Sequence, residues 1–203
     1  MAIQHDAIVD AERHEAKHAD AASAGQVLKA NGDTTTSFVA PSTLSNIVLT
    51  TPLDAVDITA QDPATTDTAL TVTFGAGTSN ADITLTAGGL VTFNTAAVYL
   101  VTVDLTFGRA AGAGIAVLAA RTLVNSAQFE NTRIVELDTD LNVIPIRIQF
   151  MRAFSATNTM TVEILRDSSG IDEGGLVSVN PVLAGWATSP SAAIKIQKIA
   201  GAA

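Results

Sequence analysis

The sharpest chemical spacing in the sequence is His14-Glu15-Ala16-Lys17-His18, a literal H-E-x-x-H. On a helix the two histidines would share a face and chelate zinc, with the glutamate as general base on a bound water. The flanks point elsewhere. Ala11-Glu12-Arg13 and Ala19-Asp20-Ala21 suit water rather than a core, and no histidine follows residue 18 to supply a third ligand. A structural arm accounts for the segment better than a metal centre, and no cofactor is expected.

Residues 19–203 contain neither Cys nor His, so a Ser-His-Asp or Cys-His centre there would need the N-terminal segment to reach back to it. Acid–base chemistry would rest on carboxylates, and Glu136, Asp138, Asp140, Asp172 and Glu173 are the candidates for a glycosidase-type pair. All fall in or beside expected loops, where acids are ordinarily just solvated. Asp138-Thr139-Asp140-Leu141-Asn142 places oxygen ligands at alternate positions, as a calcium loop does. Val143 and Gln149 stand where that motif needs Gly and Glu, so a polar hairpin loop is expected instead.

Trp186, the sole tryptophan, lies in DSSGIDEGGLVSVNPVLAGWATSP, residues 167–190. Irregular stretches beyond about a dozen residues are commonly functional or cover an interface. The favoured reading makes Trp186 a cap on one end of the domain, since no second aromatic stands nearby to build a stacking platform. The other makes it a sugar- or partner-binding tip, with Asp172 and Glu173 on the same distal loop.

These residues need a scaffold. With 203 residues, 47% of them hydrophobic, the chain can bury a substantial core and still carry an appendage. Its 11 Lys+Arg against 20 Asp+Glu give a net charge of −9, the wrong sign for neutralising phosphates, so nucleic acid is not an expected partner. No apolar run approaches the ~20 residues that cross a bilayer. The N-terminus has charges and histidines where a secretory signal would be apolar, so no membrane partner and a product made in a host cytoplasm are expected.

The pattern is that of strands. From Leu90 to Arg109, Tyr99, Val101, Val103, Leu105 and Phe107 fall on one face and Thr102, Asp104 and Thr106 on the other, the longest period-two alternation in the chain. Shorter alternations follow at Leu70–Phe74, Ile83–Leu85, Arg133–Leu137, Ile144–Phe150, Met160–Ile164 and Ile194–Ile196, with Gly, Asn and Asp between them. Ile115–Val124 is apolar on both faces apart from Arg121 and Thr122, as in a strand enclosed on both sides, by a second sheet or by a neighbouring subunit. Residues 5–22 are charged and Ala-rich, with only Ile8 and Val9 to dock, so they are expected to be solvated or held by a partner. Asn31-Gly32, between Val27-Leu28 and Phe38-Val39, favours a tight hairpin turn.

Two resemblances attach to these residues. Phe93, followed by Tyr99 opening a long alternating strand that ends near Gly108, is similar to the strand motif of the complement-globular-head and tumour-necrosis-factor superfamily, with Ala97 where that family has Gly. The similarity extends over about residues 68–199 and implies a jelly roll that assembles as a homotrimer. His14-Glu15-Ala16-Lys17, with Val27, Ala30-Asn31-Gly32, Thr36 and Phe38, resembles an N-terminal segment of many tailed-phage virion proteins, with Ala16 in place of Pro and Phe38 in place of Trp. It implies a mounting element joining a projecting domain to the particle.

The expected fold is therefore all-β, a TNF-like jelly-roll β-sandwich behind an extended, partly helical arm. Its divisions are an arm with a short hairpin over 1–43, a linker and first edge strand over 44–67, and the jelly roll over 68–203. The expected function is non-enzymatic: a trimeric capsid decoration or head-fibre protein on the virion surface. Its arm (His5, Ile8, Val9, Arg13, His14, Glu15, Lys17, His18) would bind the major capsid protein, and Tyr99, Ile115, Val117, Leu118 and Arg121 are candidates for the trimer interface. The alternative is a tail-fibre tip that recognises a host glycan.

Overall fold

A computed structural model describes residues 27–30, 36–39, 51–77, 79–109, 114–138, 142–170 and 173–201. The chain divides into two units, 1–46 and 47–203. In the first, β1 (Val27–Ala30) pairs antiparallel with β2 (Thr36–Val39). The strands fall where apolar pairs bracket Asn31-Gly32, but Ala30 faces Thr36, so the connection is five residues long rather than a two-residue turn.

The second unit is a sandwich of two antiparallel sheets. Its strands are β3 (Leu53–Asp57), β4 (Leu70–Thr71), β5 (Ile83–Leu85), β6 (Val91–Phe93), β7 (Ala97–Gly108), β8 (Ala116–Val124), β9 (Ala127–Leu137), β10 (Val143–Phe154), β11 (Thr159–Arg166), β12 (Gly175–Leu176) and β13 (Ala192–Gly201). One sheet runs β10-β7-β13-β3, with β12 added to β7; the other runs β5-β6-β11-β8-β9, with β4 added to β11. From β6 to β12 the chain passes between sheets at every step but one, the β8–β9 hairpin, and β5 and β6 form a second hairpin within one sheet. That interleaving is a jelly roll.

The long alternating run does not stay one strand. Asn94 to Ala96 turn it from the second sheet (β6) into the first (β7), so Phe93 and Tyr99 reach the core from opposite sides. There Phe93 stacks on Phe154 at 3.8 Å and meets Tyr99 at 4.8 Å. The Tyr99 hydroxyl donates to the Thr95 carbonyl at 2.8 Å, satisfying the polar end of an otherwise buried ring. Burial and the neighbouring Asp82 charge push its phenol up to about 12.

β7 carries the alternation through the middle of the molecule. Its odd-numbered residues from Tyr99 to Phe107 are buried, whereas Asp104 on the outer face pairs with Arg147 across the sheet. A one-residue slip would bury that aspartate, which fixes the register.

The sandwich has two unlike poles. At one, β8 and β9 join through Asn125-Ser126, both at positive φ (50° and 65°), the geometry of a two-residue hairpin turn. β10 and β11 join there through Ser155–Asn158, closed by the Asn158 side chain on the Ser155 amide. Near the same pole the chain enters at Leu53, paired with Ile196, and leaves at Gly201, paired with Ala97. The opposite pole collects the longer connections, 58–69, 109–115, 138–142 and 167–191.

Candidate functional site

The sandwich's two long edges differ. Along one, β3 and β5 close over the core: Leu53, Ala55 and Ile83 are buried, and Lys198 of β13 reaches across to Asp82, just before β5, at 3.1 Å. Burial would raise the Asp82 carboxyl, but the Thr95 hydroxyl and the Lys198 ammonium outweigh it and hold it below the ordinary carboxylate range.

Along the other edge, β9 and β10 are the outermost strands; Phe129 stands edge-on to Phe150 across the seam at 4.9 Å, but the seam is only partly covered. Phe129, Val135, Ile144 and Ile146 pack on the core yet remain partly exposed. Arg152 bridges the seam where an aliphatic side chain would close it, its guanidinium 4.3 Å from the Phe129 ring centre. Outside the seam, Ile134 is 69% and Met151 66% exposed. Two edge strands flanked by half-covered apolar groups form an exposed apolar surface on the sandwich.

A second surface lies at the far pole. The loop from β11 to β13 is not wholly irregular: Gly175 and Leu176 add to the end of β7, and Leu176 is buried. Val179 and Ser189 then pair, and what projects beyond them is Asn180 to Thr188. In this tip Val182 is fully exposed, Leu183 is 66% exposed and Trp186 is 70% exposed. The Trp186 amide donates to the Leu183 carbonyl at 3.3 Å, closing the turn that presents them. Trp186 therefore does not cap the sandwich; it stands out from it.

The expected interface residues separate by the pleat of β8. Tyr99 and Leu118 face inward and are fully buried, so both are spent within the chain's own core and are removed from an interface between copies. Ile115 is 45% exposed, and Val117 and Arg121 occupy the outer, half-exposed face of β8, where Arg121 pairs with Glu163 at 2.7 Å. Within the single chain β8 is enclosed on one side. The apolar appearance of Ile115–Val124 comes from small residues such as Ala119, set between β9 and β11.

Among the acids, Glu136 and Glu173 are exposed and Asp138 is half-buried. The Arg109 guanidinium donates to the backbone carbonyls of Gly114 and Asp138, tying two far-pole loops together and placing a cation beside the calcium-like segment. Asp57 accepts from the Thr59 amide (2.8 Å), the Thr59 hydroxyl (2.6 Å) and the Thr73 hydroxyl (2.9 Å). These bonds outweigh burial and lower its carboxyl, making it a pin between β3 and the strand-like segment after β4. His5, Ile8, Val9, Arg13, His14, Glu15, Lys17, His18, Asp140 and Asp172 lie outside the described residues.

The sequence reading missed Phe129, Ile134, Val182 and Leu183. Phe129 sat between two assigned segments. The signal for the tip was Val182-Leu183-Ala184-Gly185-Trp186-Ala187, an apolar run inside turn-rich sequence.

No family model matches the chain, and no curated protein matches it. Solved structures similar to it include murine APRIL at pH 5.0, with 11% identity and a TM-score of 0.46 over 73% of this chain and 98% of that one. Eiger TNF from S. frugiperda has 14% identity and a TM-score of 0.45, over 75% and 94%. Murine APRIL at pH 8.5 has 10% identity and a TM-score of 0.44, over 73% and 98%. The jelly roll itself stands on the strand order above.

Proposed function

We propose that this chain is a non-catalytic structural protein of a tailed-phage particle, a homotrimer of jelly rolls held to the major capsid protein by its N-terminal arm. The observation that carries the reading is the polarity of the sandwich: the chain enters at one pole, and the exposed apolar tip projects from the other. A domain mounted through the segment before Leu53 therefore displays Trp186 outward. The open β9/β10 seam supports self-assembly, since packing it against another copy would cover Phe129, Ile134, Ile144 and Ile146. Three linked arms would bind a repeating shell with avidity, because tethering raises their effective concentration.

Sedimentation of the purified chain is expected to give a trimer, and deletion of residues 1–24 is expected to leave that trimer intact while abolishing decoration of particles. A persistent monomer, or truncated protein that still decorates, defeats the proposal. The exposure of Trp186 favours one second reading, a tail-fibre tip that binds a host glycan. Copy number per particle separates the two: many for a head protein, few for a fibre.

A further inference from the structure

The outer face of the β11-β8-β9 sheet carries a depression of about 390 Å3. It owes its shape to a break in the β8/β9 ladder. Ala120 faces Arg133 and Thr122 faces Phe129, so Arg121 alone stands opposite Glu130, Asn131 and Thr132. Glu130 takes a φ of 67°. The Gln128 side-chain amide ties this bulge together, donating to the Glu130 carbonyl at 3.2 Å and to the Thr132 hydroxyl at 3.1 Å. A bulge gives up ladder pairing to re-aim side chains, and a non-glycine residue in the left-handed region stores strain; both features gather at binding sites.

The bulge opens the surface where Arg121 meets Glu163. The guanidinium donates through Nε at 2.8 Å and Nη2 at 2.7 Å to the same carboxylate oxygen, Oε2. Among the described residues no hydrogen bond takes up Glu163 Oε1 or Arg121 Nη1. The two side chains are therefore matched in charge yet still hold a vacant acceptor and a vacant donor. Asp67, on the same rim, gives Oδ1 to the Ser168 amide at 2.9 Å. Between these polar groups Ala69, Ala119 and Leu165 lay an apolar floor, kept low by the two alanines.

We propose that this depression is a sugar-binding site, taking a pyranose with its C–H face on Ala119 and Leu165 and two neighbouring hydroxyls on Glu163 and Arg121. The inference does not rest on the assembly reading, and it places sugar recognition on the sheet rather than at the Trp186 tip.

The charges select against ions. An anion would meet Asp67 and Glu163, and a cation would meet Arg121, whose own charge Glu163 already balances. A wholly apolar ligand would take water from carboxylate and guanidinium groups and return no hydrogen bond. A hydroxyl both donates and accepts, so an adjacent pair satisfies the vacant acceptor and donor together, in bonds strengthened by the charge on each partner. The ring carbons then cover the alanine floor. The volume falls within the ~300–1,000 Å3 of small-molecule pockets, which combine apolar lining with a few fixed polar groups.

The test titrates the full-length chain, labelled at its alanine methyls for NMR, with the methyl glycosides of glucose, galactose, mannose and N-acetylglucosamine, each alone. At least one is expected to shift the Ala69 and Ala119 methyl resonances saturably, with no change in Trp186 fluorescence. Ala119→Leu, which fills the floor from a half-exposed position, and Glu163→Gln, which removes the charged acceptor, are each expected to weaken binding at least ten-fold. The remaining methyl resonances report whether each variant is folded. Inorganic phosphate and calcium chloride are expected to leave Ala69 and Ala119 unmoved. No saturable shift with any of the four glycosides overturns the proposal, as does a shift produced by phosphate or calcium instead. A response centred on Trp186 assigns the sugar to the tip and overturns it too, and so does undiminished binding by both variants. Sedimentation of the same samples reads assembly separately, so a monomer that binds sugar here defeats the trimer and leaves this site standing.

Discussion

The β3/β5 edge and the β9/β10 edge are built from the same kinds of residue and finished differently. On the first, the sheets meet over Leu53, Ala55 and Ile83, and the Lys198–Asp82 pair stitches one to the other. On the second Phe129 and Ile144 stay partly exposed, and the bridge is the Phe129 ring, edge-on to Phe150 and capped by a guanidinium. A closed edge stabilises the chain that owns it. An open edge leaves apolar area whose burial, at ~25 cal/mol per Å2, is realised only when another surface arrives.

Breaking the closed edge is expected to have the largest effect. Leu53→Ala removes a fully buried side chain and is expected to cost about 2–5 kcal/mol in chemical denaturation, at any protein concentration. Ile134→Asp, at a position 69% exposed in the single chain, tests the open edge. It is expected to leave the unfolding midpoint of dilute protein nearly unchanged while lowering the association constant at least ten-fold by sedimentation. Equal effects of the two variants on monomer stability would erase the distinction between the edges.

Arg152→Met sharpens it. Loss of the cation–π contact is expected to cost about 0.5–1 kcal/mol in the dilute chain. The same variant is expected to leave association intact, because the methionine still covers Phe129.

The Lys198–Asp82 stitch predicts a pH dependence. The Asp82 pKa is lowered in the folded chain, so its contribution is complete above the ordinary value of 3.8 and is lost as pH falls through the lower folded value. Asp82→Asn is expected to flatten the acid limb of the stability profile in that window and to leave association untouched. The smallest effect is expected at the exposed Asp104–Arg147 pair: Asp104→Asn is expected to change the salt dependence of assembly without a resolvable change in folding.

Much of this architecture was legible in the amino-acid pattern. Alternation located β7, β10, β11 and β13 because an inward face on a pleated strand repeats every second residue. It could not show where a run changes sheets. The turn at Asn94–Ala96 keeps the period, so β6 and β7 read as one strand. β4 is only two residues long, yet Val72 beyond it is held by its amide on the Val162 carbonyl at 2.8 Å, a pairing with no local signature.

The surfaces were less legible than the core. Alternation says which residues face inward but not whether the opposite sheet extends far enough to cover them. Ile144 and Ile148 thus look alike in sequence, although Ile148 is buried and Ile144 is not. Tyr99 and Leu118 were expected between copies because their strands are apolar; the pleat sends both inward. The lack of a second aromatic nearby favours Trp186 as a cap in the sequence, whereas the Val179–Ser189 pairing holds its loop away from the core.

The neighbouring points where the chain enters and leaves the sandwich, Leu53 beside Ile196 and Gly201 beside Ala97, have a practical corollary. A short bridge between them would let the sandwich alone be circularly permuted and reopened at Ala184-Gly185. New ends would then emerge beside Trp186, where a fused passenger would ride at the far pole of the sandwich with every pairing of its two sheets preserved.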